Sequence, residues 1–289
     1  VTVTDLTKSE REQIEEILSR RATRQESDAG RMNDPFKIDG PACMSFSGGR
    51  SSAYMLIRAV QAHGGKLPDD VLTCFANTGK EDPRTLDFVN DIAYELDVPI
   101  VWIEFRNDDK GFAVVDYASA SRKGEPFEAL IKKKSFLPNA VMRFCTSDLK
   151  IKPIDAYLKT LGWTDREMVV GIRADEPRRI AKMPHLHKPL AIAGITKPHV
   201  LEFFKGKPYD LKAEDGNCDL CFNKGLPQIM SSISKTPQKA VWWARQEKER
   251  GATFAKNRPS YEQMYQQALA QTDAFGYDNE EAIACFCGD

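Results

Sequence analysis

From residue 41 onward, short apolar runs alternate with segments in which apolar positions recur every three or four residues. ACMSFS (42–47), VLTCFAN (71–77), PIVWIEF (99–105) and EMVVGIR (167–173) read as strands buried on both faces. SAYMLIRAVQAHG (52–64), PRTLDFVNDIAYELD (83–97) and IKPIDAYLKTLGW (151–163) carry the helical period. The first of these closes on glycine, and the second has Pro83 near its start. Strand–helix alternation of this kind predicts an α/β fold, a Rossmann-like doubly wound parallel sheet covered by helices.

The alternation breaks twice. Residues 106–143 read as a long insertion, with a helical PFEALIKK at 126–133 and Lys132–Lys134 at its end. An insertion at a strand end suggests a lid, a binding loop or a solvated excursion. Residues 201–289 lose the strand signal and predict a smaller helical, cysteine-bearing lobe, its clearest helices at 237–251 and 260–271. Upstream, residues 5–25 have the amphipathic period, with Leu6, Ile14, Ile17 and Leu18 on one face, and 26–39 are polar and linker-like. The predicted organisation is therefore 1–40, helix and linker; 41–200, the α/β domain; and 201–289, the C-terminal lobe.

Composition narrows the function classes. The chain has 289 residues, 42% hydrophobic and 29% charged, enough for a large core without covalent staples. A net charge of −1 gives no global basic field, so nucleic acid stays open as a partner only through a local patch at 122–143. No run of 18 apolar residues suggests a membrane span, and the charged N-terminus does not resemble a secretory signal. The expectation is a cytoplasmic protein. Its seven cysteines should then be reduced, and close spacings such as Cys218-x-x-Cys221 and Cys285-x-Cys287 read as metal ligands or reactive thiols. Cys43 and Cys74, inside strands, read as inert core residues.

The most informative stretch is SFSGGRSS, residues 45–52, between the first strand and its helix. A tight Gly-Gly turn into a helix exposes backbone N–H groups at the positive end of the helix dipole. Ser47, Ser51 and Ser52 add hydroxyls, and Gly48 and Gly49 allow close approach of an anion. The reading is a phosphate cradle, against the alternative of a plain strand-to-helix turn. Neither the Walker nor the dinucleotide glycine spacing is present.

Four motifs in order extend this reading: SFSGGRSSAYML (45–56), FANTGKEDPRTLDFV (75–89), RFCTSDLKIKPI (143–154) and GIRADEPRR (171–179). Together they resemble the phosphoadenosine phosphosulfate (PAPS) reductase-like branch of the PP-loop, or adenine nucleotide alpha-hydrolase-like, superfamily. The resemblance implies a PP-loop/HUP-type sheet binding ATP or a related adenine nucleotide. Ser47, Gly48, Gly49, Arg50, Ser51 and Ser52 would hold phosphate, and Phe75, Asn77, Thr78 and Gly79 would lie near the base. Arg173, with Arg178 or Arg179, would face phosphate or sulfate through a planar guanidinium. The family loop usually carries Asp where this chain has Ser51, removing a carboxylate suited to magnesium, a further candidate cofactor. Arg50 stands beside the cradle as a fixed charge.

For the cysteines the resemblance implies a [4Fe-4S] cluster on Cys145, Cys218 and Cys221, with Cys285, Cys287 or no residue as the fourth ligand. Zinc is the alternative. Two activities stay open. One is ATP-dependent sulfur transfer, with Arg50 and Arg173 stabilising phosphate charge and a sulfur-donor protein as partner. The other is sulfonucleotide (PAPS or APS) reduction, with Cys287 as nucleophile and a reductant protein. The chain end ACFCGD lacks the E-C-G-[IL]-H tail usual in the reductases, which favours the first. A non-catalytic nucleotide-binding redox sensor is a third reading. His185 and His187 read as loop residues and Trp242–Trp243 as packing for the lobe.

Overall fold

The computed structural model describes residues 34–211 and 218–271; the expected helix at 5–25, Cys285 and Cys287 lie outside them. The sheet comprises β1 (Ala42–Phe46), β2 (Val71–Asn77), β3 (Ile100–Phe105), β4 (Phe112–Val115) and β5 (Glu167–Val170). The spatial order is β4-β3-β2-β1-β5. β1 pairs in parallel with β2 and β5, β2 with β3 likewise, and β4 alone is antiparallel. The chain steps outward from β1 to β3, then crosses to β5 on the other side. That reversal makes the C-terminal ends of β1 and β5 the topological switch point, where open α/β sheets hold their ligands.

Side-chain alternation along β1 sets the two layers. Met44 and Phe46 join the core built with α1 (Arg50–Ala62) and α2 (Pro83–Leu96), through Met55, Leu56, Leu86 and Val89. Cys43 points the other way, with Cys74 and Ile103, onto Ile154 and Leu158 of α4 (Lys152–Thr160). Both strand cysteines are fully buried, as their place in apolar runs suggested. α2 begins on Asp82, whose carboxylate accepts the Arg84 N–H at 3.1 Å, with Pro83 at its first position.

The insertion is part of this architecture. Its residues form β4 on the edge of the sheet and α3 (Glu125–Lys134), with acids in the first turn and lysines in the last, complementing the helix dipole. The alternation missed β4 because four residues on a sheet edge carry too little periodicity. The linker reading is also corrected at its end: Phe36 and Ile38 lie in the main core. The Ile38 N–H donates to His63 Nε2 at 2.9 Å, and His187 Nε2 lies 2.9 Å from the Pro35 carbonyl. His187 also forms a parallel bridge with Val169, covering the outer edge of β5.

Three short helices, α5 (Pro177–Lys182), α6 (Pro189–Ile192) and α7 (Lys197–Phe204), follow β5. The expected boundary at 200/201 falls inside α7, whose Val200 and Phe204 belong to the main core. A second core joins α3 to α8 (Leu226–Lys235), α9 (Gln238–Arg250) and α10 (Tyr261–Gln271). Trp243 is its centre, stacked on Tyr261 at 5.3 Å and edge-on to Phe254 and Phe127. Among the described residues no helix is long and apolar enough to cross a membrane.

Candidate functional site

The Gly48–Gly49 turn joins β1 to α1. Gly48 has φ +77°, and a Cβ there would lie 2.7 Å from Thr85 Cγ2 and 3.1 Å from Phe75. The turn therefore needs glycine twice over, for its backbone angle and for the floor beneath it. Gly49, by contrast, has open space around its α-carbon, with only Ser47 Oγ at 3.7 Å from such a Cβ. Ser52 fixes the loop: its hydroxyl donates to the Gly49 carbonyl at 2.8 Å and accepts the Ser47 N–H at 3.2 Å. The α1 first turn holds no acid, so the dipole's positive end is left uncompensated by the helix itself.

β5 supplies the other wall. A Cβ on Gly171 would meet the Ser52 nitrogen and α-carbon at 3.0 Å, so the two backbones touch. Arg173 then reaches across the switch point and donates to Ser51 Oγ at 3.1 Å, while its Nε donates to Asp175 at 2.9 Å. Arg173 holds the Asp175 carboxyl below the usual range against the opposing effect of burial. Arg50 faces elsewhere: its guanidinium grips Asp210 with two bonds, 2.5 and 3.0 Å. Arg179 pairs with Glu176 at 2.7 Å, and Arg178 is exposed.

The β2 end carries the second half of the site. Asn77 and Thr78 are buried and bonded within the protein. Asn77 donates to Glu104 at 2.7 Å and to the Ser121 carbonyl at 2.8 Å. Phe75 lies fully buried under the cradle, against Trp102, and Gly79 abuts Pro126 and Gly124 at the start of α3. Glu81 accepts the Thr78 N–H and hydroxyl, each at 2.8 Å, and shares a backbone bridge with Cys218. Thr78 Oγ1 lies 3.5 Å from Cys218 Sγ.

Cys145 reaches the same corner through an irregular helix. A short turn, Phe144–Thr146, runs into a π-helical stretch, Ser147–Ile151, before α4. The wider turn brings Lys150 to the side of Cys145, a five-residue separation that a regular α-helix would place on different sides. Lys150 Nζ stands 3.7 Å from Glu81. Burial opposes its charge, but Glu81 and the thiols of Cys218, Cys145 and Cys221 hold the ammonium above the usual lysine range. Burial, with Cys221 nearby, pushes the Cys145 thiol up to about 11 against the pull of Lys150 and Arg143. Burial and then Glu81 raise Cys218 as well. No described cysteine is in a disulfide. Among the described residues no three His, Cys, Asp or Glu side chains close around one ion.

The corner is bolted to the second core by an ion pair the sequence did not announce. Lys80 Nζ and Asp219 lie 2.8 Å apart, both nearly inaccessible to water. Asp219 also accepts the Trp243 indole N–H at 2.8 Å and the Leu220 N–H at 2.7 Å. Lys80, Glu81 and Lys150 sat inside two quoted motifs, but nothing local marked them out among their charged neighbours. Asp219 carried no signal either, because its partner Lys80 comes from a distant part of the chain.

A family model described as the phosphoadenosine phosphosulfate reductase domain matches residues 41–194. A nin region protein of Escherichia phage lambda, itself uncharacterized, is 31% identical over 198 residues, covering 64% of this chain and 67% of its own length. An uncharacterized Methanocaldococcus jannaschii protein is 30% identical over 115 residues, 40% of this chain and only 22% of the archaeal one. Among solved structures, PAPS reductase from Candida auris, in a phosphate complex, aligns at 14% identity and TM-score 0.37, over 61% of this chain and 81% of that one. The U34-tRNA thiolase NcsA from Methanococcus maripaludis, with its [4Fe-4S] cluster, aligns at 15% identity and TM-score 0.32, over 86% and 76%. At such scores neither structural likeness bears on the chemistry.

Proposed function

Because the chain belongs to the phosphoadenosine phosphosulfate reductase domain family, we propose that it is an enzyme that binds an adenine nucleotide and uses it in ATP-dependent sulfur transfer. The observation that carries this reading is adjacency. The cradle follows β1, and the Thr78–Cys218 contact follows β2, its hydrogen-bonded neighbour. A nucleotide phosphate and a sulfur site would therefore stand one strand apart.

The cradle's work is electrostatic. N–H groups at the start of α1 and the Arg173 guanidinium face the phosphates and offset charge as pyrophosphate leaves the α-phosphorus of ATP. An acceptor oxygen takes the adenylyl group, and a sulfur nucleophile then displaces AMP from the activated acceptor. Arg50, held by Asp210, orders the chain beside the cradle and leaves the anion to Arg173.

Cys145, Cys218 and Cys221 would hold a [4Fe-4S] cluster, and the donor set fits it chemically: soft thiols beside one half-buried ammonium. Such a group supplies a redox-active anchor for sulfur. As free thiols, Cys145 and Cys218 stay protonated near neutral pH and are poor nucleophiles, so their use here is as ligands, which lose the proton on binding. Lys150 offsets the charge of the thiolates.

A second reading, sulfonucleotide reduction, draws on the Arg173–Ser51 bond, since a loop without a carboxylate suits a phosphosulfate anhydride that needs no magnesium. Anaerobic incubation with ATP, sulfide and a whole-cell extract of RNA, DNA and metabolites as the source of acceptor separates these readings. Release of AMP and pyrophosphate supports sulfur transfer. Sulfite release from PAPS or APS without ATP turnover moves the assignment to reduction, and nucleotide binding with neither product overturns the enzyme.

A further inference from the structure

The neutral net charge conceals a strong polarity. Every parallel strand is entered past an aspartate: Asp39 before β1, Asp69 and Asp70 before β2, Asp97 before β3, Asp165 before β5. The outer face of α2 adds Asp87, Asp91 and Glu95, and Asp91 is raised by burial and by those two like charges. The opposite edge, where the strands exit, carries two basic segments among acids that are each engaged in ion pairs, such as Asp82, Asp175 and Glu176. Between residues 177 and 199 stand Arg178, Arg179, Lys182 and Lys197, with Lys188 buried on backbone carbonyls, and no Asp or Glu. Between 132 and 152 stand Lys132, Lys133, Lys134, Arg143, Lys150 and Lys152 against Asp148 alone.

Local pairing does not cancel this second group. Asp148 is shared by Lys134 at 2.8 Å and Lys152 at 2.5 Å, and Glu128 by Lys132 at 2.7 Å and Arg245 at 2.5 Å. Asp148 serves two cations, so that cluster keeps an excess positive charge, whereas the Glu128 cluster is balanced by Glu249, 4.0 Å from Arg245. The strand order sets the two basic segments on either side of the cradle, one after β5 and one beside the β2 end.

Apolar side chains are interleaved with these cations in the 132–152 segment. Val141 is 92% exposed, Ile151 60%, Met142 49% and Phe136 41%. These side chains flank Cys145 in sequence, and Phe136 lies edge-on to its neighbour Phe144 at 5.1 Å. Cations spaced along an edge with apolar side chains between them suit an anion that is both long and faced with flat apolar groups.

We propose that the strand-exit edge binds a single-stranded polynucleotide, its phosphates tracking Lys132, Lys152 and Lys182 across the mouth of the cradle and its bases lying against Phe136, Val141, Met142 and Ile151. An unpaired strand is favoured over a duplex because only unpaired bases offer their faces to those apolar side chains. The proposed sulfur transfer gives the strand its purpose, as the acceptor, but its binding can be measured without that activity.

The test uses the full chain and fluorescein-labelled 20-nucleotide single strands, one of RNA and one of DNA, read by anisotropy over a salt series. Binding should weaken linearly with salt on a log–log plot. The triple variant Lys132→Glu, Lys152→Glu, Lys182→Glu should bind at least about tenfold more weakly, with the salt slope reduced by roughly one per lost phosphate contact. Its ATP binding should match the parent's, and its melting temperature should fall modestly, since Lys152 and Lys132 lose their pairs with Asp148 and Glu128. Val141→Ser should weaken strand binding without changing the salt slope. Whichever strand binds tighter identifies the acceptor as RNA or DNA. No binding of either strand at low salt overturns the proposal and leaves the nucleotide reading intact. So does tighter binding of a duplex, preference for a polyglutamate peptide, or a triple variant that binds strands like the parent. Loss of ATP binding in the parent, with strand binding retained, would instead sink the sulfur-transfer reading alone.

Discussion

The cradle and the thiol corner sit on adjacent strands and are built by opposite means. The cradle comes from one short stretch, Ser47–Ser52, is made largely of backbone, and leaves the Gly49 side open. The corner gathers Glu81, Cys145, Lys150, Cys218 and Cys221 from three distant parts of the chain into charged contact, with Glu81 buried and the thiols and Lys150 half-buried. A site for a large, strongly charged ligand needs few side chains, because dipole and N–H groups suffice. A site for sulfur must exclude water and balance charge, and that takes a second core. The lobe of α8, α9 and α10 serves this purpose, clamped to β2 by Lys80 and Asp219.

The comparison breaks most visibly at that clamp. Asp219→Ala strands the Lys80 ammonium and two N–H donors in a dry interior, at a cost of about 3–5 kcal/mol. Denaturant unfolding should register the loss, and metal content should fall further than nucleotide affinity. Gly48→Ala attacks the other side. It forces an L-residue to φ +77° and a Cβ to within 2.7 Å of Thr85, and should cost about 1–3 kcal/mol. Calorimetry should then find nucleotide binding lost and the metal content kept. Equal damage to both sites from either change would mean that the two regions are one.

Smaller effects sharpen the picture. Lys134, Lys152 and Ser147 hold the Asp148 carboxyl at about 2 despite burial. The folded value lies below the unfolded one, so the stabilisation is present above the usual carboxylate range and fades as pH falls toward 2. Asp148→Asn should therefore cost about 1–2 kcal/mol at neutral pH, with one partner largely exposed, and almost nothing near pH 2. Ser51→Asp should change stability by less than about 1 kcal/mol, since its partner Arg173 is already in place. Its informative readout is nucleotide binding, which should become strengthened by magnesium in the variant and not in the parent.

Legibility in the sequence followed the same division. The four parallel strands and their helices announced themselves, because apolar period and strand length coincide in segments such as VLTCFAN. The cradle was legible because a glycine turn is a local device. β4 was not, being short and on an edge, nor was the burial of Phe36 and Ile38 in a segment that reads as polar. Cys145 and the C-x-x-C could be suspected from residue type, but not the Lys150 that faces them, whose position depends on a π-helical turn. Arg50 read as a ligand for phosphate because it adjoins the glycines, whereas Asp210, distant in sequence, holds it.

The central claim is that a nucleotide cradle stands one strand from a sulfur site that holds a cluster. Its most direct test is the iron and acid-labile sulfide content of the anaerobically purified chain, read with the visible spectrum. About four of each per chain in a brown protein is the predicted result, lost in Cys221→Ala while ATP binding persists. A colourless parent that takes up neither iron nor sulfide on anaerobic reconstitution, or carries one zinc instead, would contradict it.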